Sequence, residues 1–102
     1  MEFTANTEYW WTFRKDIMAY GGLSMPAKII LNTLLCFQKS GRIKLTIDTL
    51  SKWYSFSIDE MDQAFKELNR KGFFNDFEET IYTYTVILSK TSINKVFKYA
   101  VK

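Results

Sequence analysis

The sequence predicts a single α+β domain, residues 1–102, in which capped helices alternate with a short strand and give way to a β-hairpin. Three observations carry this prediction. Apolar residues recur at helical spacing in three central stretches. The backbone breakers are Pro26 and four glycines, Gly21, Gly22, Gly41 and Gly72, and they divide the 102-residue chain into clear segments. Two runs rich in aromatic and β-branched residues, Phe73–Phe77 and Ile81–Leu88, follow the last helical stretch.

Each element has a local cause. Tyr9 to Phe13 is aromatic and alternates like a strand, with Tyr9, Trp11 and Phe13 on one side and Trp10 and Thr12 on the other. Gly21-Gly22 ends that region. Ser24 is an N-cap and Pro26 is tolerated in a first turn, so Ala27, Ile30, Leu31, Leu34 and Leu35 predict an amphipathic helix from Met25 to about Gln38. Arg42-Ile43-Lys44-Leu45 alternates charged and apolar residues, the pattern of a half-buried strand. Thr46 opens a helix over Ile47–Tyr54, with Leu50 and Trp53 or Tyr54 turned inward. Ser57-Ile58-Asp59-Glu60 is a capping box, and Ile58, Met61, Ala64, Phe65 and Leu68 give the next helix its apolar face. Gly72 stands where a left-handed C-terminal cap is wanted. The two strand-like runs then join through Glu78-Glu79-Thr80 as a hairpin. Ser92 is read as the cap of a last helix, with Ile93, Val96, Phe97, Ala100 and Val101 apolar and Lys95, Lys98 and Lys102 outward.

Composition narrows the function classes. Apolar residues make up 47% of the chain and nine Phe, six Tyr and three Trp are present, enough for a real core. Histidine is absent, which removes the usual general base, the Ser-His and Cys-His nucleophile pairs and most zinc or haem ligand sets. No Gly-rich phosphate loop or nucleophile motif is present, so neither catalysis, a metal, a cofactor nor a small-molecule substrate is expected. A single cysteine, Cys36, reads as a small core residue and suits a reducing compartment, so a cytoplasmic location is expected. No apolar run approaches the roughly 20 residues of a membrane span, and no n-region, h-region and cleavage-site pattern is seen, so secretion is not expected.

The order helix, short strand, helix, turn, helix, hairpin is that of a winged helix-turn-helix. The run Thr49 to Phe74, including Leu50, Ser51, Phe56, Ser57-Ile58-Asp59-Glu60, Ala64-Phe65 and Leu68 through Gly72-Phe73, resembles that superfamily's pattern without a gap. Two departures stand out: Ser51 replaces the usual alanine, and Ser55 stands where the turn commonly has glycine, which leaves open a turn other than the usual left-handed one. Upstream, Leu23-Ser24-Met25-Pro26-Ala27-Lys28 is similar to the first-helix opening of small plasmid- and phage-encoded proteins, replication-initiator-like ones included. The resemblance implies sequence-specific binding of double-stranded DNA, as an accessory factor in plasmid replication, conjugative transfer or transcription regulation.

Charge shifts where on the domain that contact is expected. The net +3 resolves into +3 over residues 1–54, −4 over 55–79 and +4 over 80–102. In a winged helix the Ile58–Leu68 helix meets the major groove by its N-terminal half, yet here that half carries Asp59, Glu60, Asp62 and Gln63. Asp59 and Glu60 are accounted for by the helix dipole and the capping box. Asp62 is a solvated acid or an acceptor from cytosine, and Gln63 a reader of adenine. Phosphate contact is therefore expected from Lys66, Arg70 and Lys71, from Lys44 on the short strand, and from the hydroxyls of Thr80, Tyr82 and Tyr84 on the second hairpin strand. A Tyr/Thr strand is equally an ordinary good β-former. Tyr9, Trp10, Trp11 and Phe13 with Val96 and Phe97 exceed what the core requires; they read as a core extension or as a homodimer interface. A reading from another class remains: the acidic helix serves as a protein-interaction surface that modulates a host or replicon protein.

Overall fold

In a computed structural model, the structure describes residues 14–37 and 42–101; the Tyr9–Phe13 segment and its expected interface residues lie outside them. Within them the chain is a mixed α and β domain with five helices and one three-stranded antiparallel sheet. We label the helices α1 (Lys15–Ala19), α2 (Met25–Cys36), α3 (Ile47–Tyr54), α4 (Ile58–Arg70) and α5 (Lys90–Val96). The strands are β1 (Arg42–Thr46), β2 (Phe74–Glu79) and β3 (Thr83–Leu88), in spatial order β1-β3-β2.

Helix α1 went unread in the sequence because five residues are too short to display a helical period. Tertiary contacts hold it. Ile17 is fully buried, the Arg14 backbone N–H donates to Asn32 Oδ1 at 3.1 Å, and the Arg14 guanidinium pairs with Asp16 at 2.8 Å. That pairing holds the Asp16 carboxyl below the usual aspartate range. Helix α2 starts as expected, with Ser24 Oγ accepting from the Ala27 N–H and Pro26 in the first turn, and it ends at Cys36. It is buried on more than its apolar stripe: Lys28 and Asn32 lie under α1, with Lys28 Nζ donating to the Met18 carbonyl at 2.8 Å.

The turn between α3 and α4 takes the left-handed conformation although it has no glycine. Ser55 sits at φ 57° and ψ 24°, and its N–H closes onto the Ser51 carbonyl. A side chain in that region carries strain that glycine avoids. Ser55→Gly is expected to stabilise the domain by about 0.5 kcal/mol, read as a higher urea midpoint. A lower midpoint would show that the serine is relaxed there.

Helix α4 is framed at both ends by its own sequence. Ser57 and Glu60 form the reciprocal capping box. At the other end the Gly72 N–H reaches the Asn69 carbonyl and the Phe73 N–H the Leu68 carbonyl, the two bonds of a Schellman cap, with Gly72 at φ 82°. The cap turns the chain straight into β2, so α4 and β2 run antiparallel. Phe65 fills the space between them: it is fully buried, stacks on Tyr84 at 4.0 Å between ring centres and lies 6.1 Å from Phe77.

Strand register settles which side chains face the helices. Tyr84, Val86 and Leu88 of β3 and Ile43 and Leu45 of β1 are buried, whereas Arg42, Lys44 and Thr46 alternate with them on the outer face. The hairpin turn falls later than expected. Glu78 and Glu79 pair within β2, and Thr80-Ile81-Tyr82 makes the turn, with Thr80 Oγ1 accepting from the Tyr82 and Thr83 N–H groups. The last helix also differs: Ser89, not Ser92, is its cap, accepting from the Ser92 N–H. Phe97 is 1% exposed, with its ring edge-on to Tyr20 and Phe73, so it is a core residue of this domain and is not available for a dimer interface. Val96 is exposed.

Candidate functional site

Helix α4 turns Met61, Ala64, Phe65 and Leu68 to the core, and Asp59, Gln63, Lys66 and Arg70 form its solvent stripe. The stripe is acidic at the N-terminal end and basic at the C-terminal end. Because α4 and β2 are antiparallel, the basic end lies at the base of the hairpin and the acidic end beside its tip. About six residues of strand, roughly 20 Å, separate the two.

This geometry divides the residues expected to act together. Arg70 and Lys71 are exposed at the base, next to the Gly72 turn. Lys90 joins them: the Ser89 N–H donates to the Phe73 carbonyl at 2.8 Å, so Lys71 and Lys90 flank one junction. Nothing local in the sequence relates Lys90 to this turn, because 17 residues of hairpin separate it from Gly72. Thr80 and Tyr82 are exposed at the opposite, acidic end, and the Thr80 hydroxyl is engaged in its own turn. Lys44 projects from the outer face of the sheet, on the far side from α4, in the row with Thr85 and Glu78. Tyr84, expected to offer its hydroxyl to DNA, is a core residue instead. It is 1% exposed beneath Phe65, and burial, then the nearby Asp62 and Glu79 charges, push its phenol up to about 12. A ring so buried is not part of an exposed contact surface.

Gln63 is exposed in the middle of the stripe, and Lys66 Nζ is held by Asp62 at 2.9 Å. Asp62 is the pivot of this region. With both carboxyls ionised, its solvent-shielded Oδ1 has no donor; in acid, a proton on the adjacent Glu79 supplies one. Glu79 is therefore raised above the usual glutamate range, first by this hydrogen bond and then by burial. Asp62 is lowered, first by accepting from Glu79 and then by Lys66. The two act on stability with opposite signs. The contribution of Asp62 is present above the ordinary aspartate range and is lost as pH falls through its lowered value. That of Glu79 is present in acid and is lost as pH rises from its ordinary 4.5 through its raised value. Glu79→Gln gives Asp62 a permanent amide donor. The variant should melt roughly 2 °C higher than the parent at neutral pH, with the two profiles converging in acid. Parallel profiles would show that the carboxyls do not share a proton.

Beside this pair the surface is concave. Ile58 is 61%, Ile81 78% and Tyr82 71% exposed, and with Ile47 they line two adjoining hollows of about 530 and 610 Å³ between α3, α4 and the hairpin tip. Asp59, Asp62 and Glu79 edge one hollow, and Asp48 and Lys52 edge the other. The Ile47 N–H donates to the Tyr82 carbonyl at 2.9 Å and ties the tip to the start of α3. The apolar pattern puts Ile58 on the core face and Ile81 in a strand; helix entry and the hairpin turn leave both in solvent instead. Among the described residues, no group of three or more potential ligands could hold a metal, and no helix is long and apolar enough to cross a membrane.

Fold and surface together define a small mixed α/β domain with a basic base and an acidic, apolar tip. No protein-family model, curated protein or solved structure matches the chain.

Proposed function

We propose that this chain is a winged helix-turn-helix protein that binds double-stranded DNA in a sequence-specific manner, as an accessory factor at a plasmid or phage origin or operator. The element order and the strand order β1-β3-β2 support that reading of the fold. The observation that carries the DNA reading is the exposed cluster at the base of the hairpin: Arg70 and Lys71 from the end of α4, with Lys90 across the junction. It offers three cations to phosphate, with Lys66 and Gln63 next along the helix. Docking is centred on the C-terminal half of α4 and the hairpin base. The tip is not part of it, because Asp59, Asp62 and Glu79 beside it would repel the duplex.

A shift assay on fragments of the replicon that encodes the protein, at moderate salt, tests the proposal. Sequence-selective retention supports it; equal, weak retention of all fragments refutes it. A second reading has its own observation: the apolar, acid-edged hollow at the tip suits a protein segment carrying basic and apolar side chains.

A further inference from the structure

The end of the chain carries a surface that matches the hollow in both polarity and charge. Beyond α5 the backbone closes into a loop clamped by Asn94, whose Nδ2 donates to the Val101 carbonyl at 3.0 Å and whose Oδ1 accepts the Val101 N–H at 2.8 Å. Phe97 and Ala100 anchor the loop in the core, while Val96 and Tyr99 face solvent, 40% and 88% exposed. Tyr99 lies at φ 61°, a left-handed conformation that a side chain adopts under strain. An anchored and clamped loop thus holds an aromatic ring in open solvent, directly after Lys98 and four residues past Lys95, both exposed.

We infer that the C-terminal loop of one copy of this chain docks in the acid-edged hollow of the next, giving head-to-tail self-association. Tyr99 and Val96 would lie on Ile58, Ile81 and Tyr82, with Lys95 and Lys98 opposite Asp59, Asp48 and Glu79. The loop follows the hairpin base and the hollow lies at the hairpin tip, so one molecule cannot satisfy both from itself. Such a contact is heterologous: a joined pair keeps one free loop and one free hollow, and the assembly grows as an open chain or closes as a ring. The match of charge favours a second copy, because four of the five charged residues that edge the two adjoining hollows are acids, Lys52 being the fifth, and the loop carries Lys98 with Lys95 before it. The inference rests on the reading of the hollow as a protein-binding surface and is independent of DNA binding.

Sedimentation of the full chain tests it. The parent is expected to associate with rising concentration, beyond a dimer, and to dissociate as salt is raised. Tyr99→Ser and Asp59→Lys should each weaken association at least tenfold. Both residues are exposed, and a cooperative circular dichroism melt confirms that each variant folds, with a small loss allowed for Asp59→Lys at the helix start. Mixing the two variants is the decisive arm: the Asp59→Lys loop fits the intact hollow of the Tyr99→Ser copy, so the mixture should stop at a one-to-one dimer. A parent that stays monomeric at several hundred micromolar overturns the inference, as does association that survives both substitutions or a mixture that stays monomeric. If the monomeric parent nevertheless binds a synthetic basic, aromatic peptide through Ile58 and Asp59, the self-association fails while the protein-binding reading of the hollow stands.

Discussion

Phe65→Ala is expected to destabilise the domain by about 3–5 kcal/mol, read from urea unfolding followed by tryptophan fluorescence. The ring is fully buried and forms the joint between α4 and the sheet, stacked on Tyr84 with Phe74 and Phe77 beside it. Truncation leaves a cavity that three aromatic rings cannot close without moving strands. A loss of that size is a large part of the roughly 5–15 kcal/mol that holds an ordinary domain together. Phe65→Leu, which retains most of the apolar volume, should cost well under half as much. A cost below about 1 kcal/mol for the alanine variant would mean that α4 is not packed on β3 as described.

The double variant Arg70→Ala, Lys71→Ala should weaken duplex binding at least tenfold near physiological salt. It should also flatten the dependence of log affinity on log salt by about two, one step for each lost phosphate contact. Two controls locate the effect. Lys44→Ala, on the far face of the sheet, and Tyr82→Ser, at the acidic tip, should leave both affinity and salt slope unchanged. Unchanged binding by the double variant at low salt would remove the base of the hairpin from the interface. A loss caused by Lys44→Ala alone would move the interface to the outer face of the sheet.

Local structure was legible wherever a short-range rule decides it. The capping box at Ser57 and Glu60, the cap at Gly72, the start of α2 at Ser24 and the alternation of β1 all depend on residues within a few positions of one another. Local rules mislead where two distant segments compete for the same residues. Ser92 looks like a good cap, but the Ser89–Phe73 hydrogen bond joins the end of β3 to the chain leaving α4, and the helix starts there instead. Glu78 and Glu79 look like turn residues, but the pairing of Phe77 with Val86 carries β2 past them.

The candidate site was legible as a list and not as an arrangement. The sequence showed an acidic first half and a basic second half of the Ile58–Arg70 helix, with hydroxyls on the following hairpin. It could not show that the hydroxyl-bearing tip returns to the acidic half. That follows from the antiparallel run of α4 and β2 and reverses the expected grouping of Lys71 with Tyr82. Tyr84 failed for a related reason: period-two alternation says that neighbouring residues face opposite sides, and only the packing of Phe65 says which side is inside.

By itself, then, the sequence determined the elements, their caps and the division of charge along the chain, because caps and periodicity are interactions between near neighbours. The tertiary structure alone decided that base and acid lie at opposite ends of the domain, that Lys90 joins Arg70 and Lys71, and that Ile58, Ile81 and Tyr82 face solvent together. Those outcomes depend on how one helix runs along one hairpin, a relation between segments that no local pattern encodes.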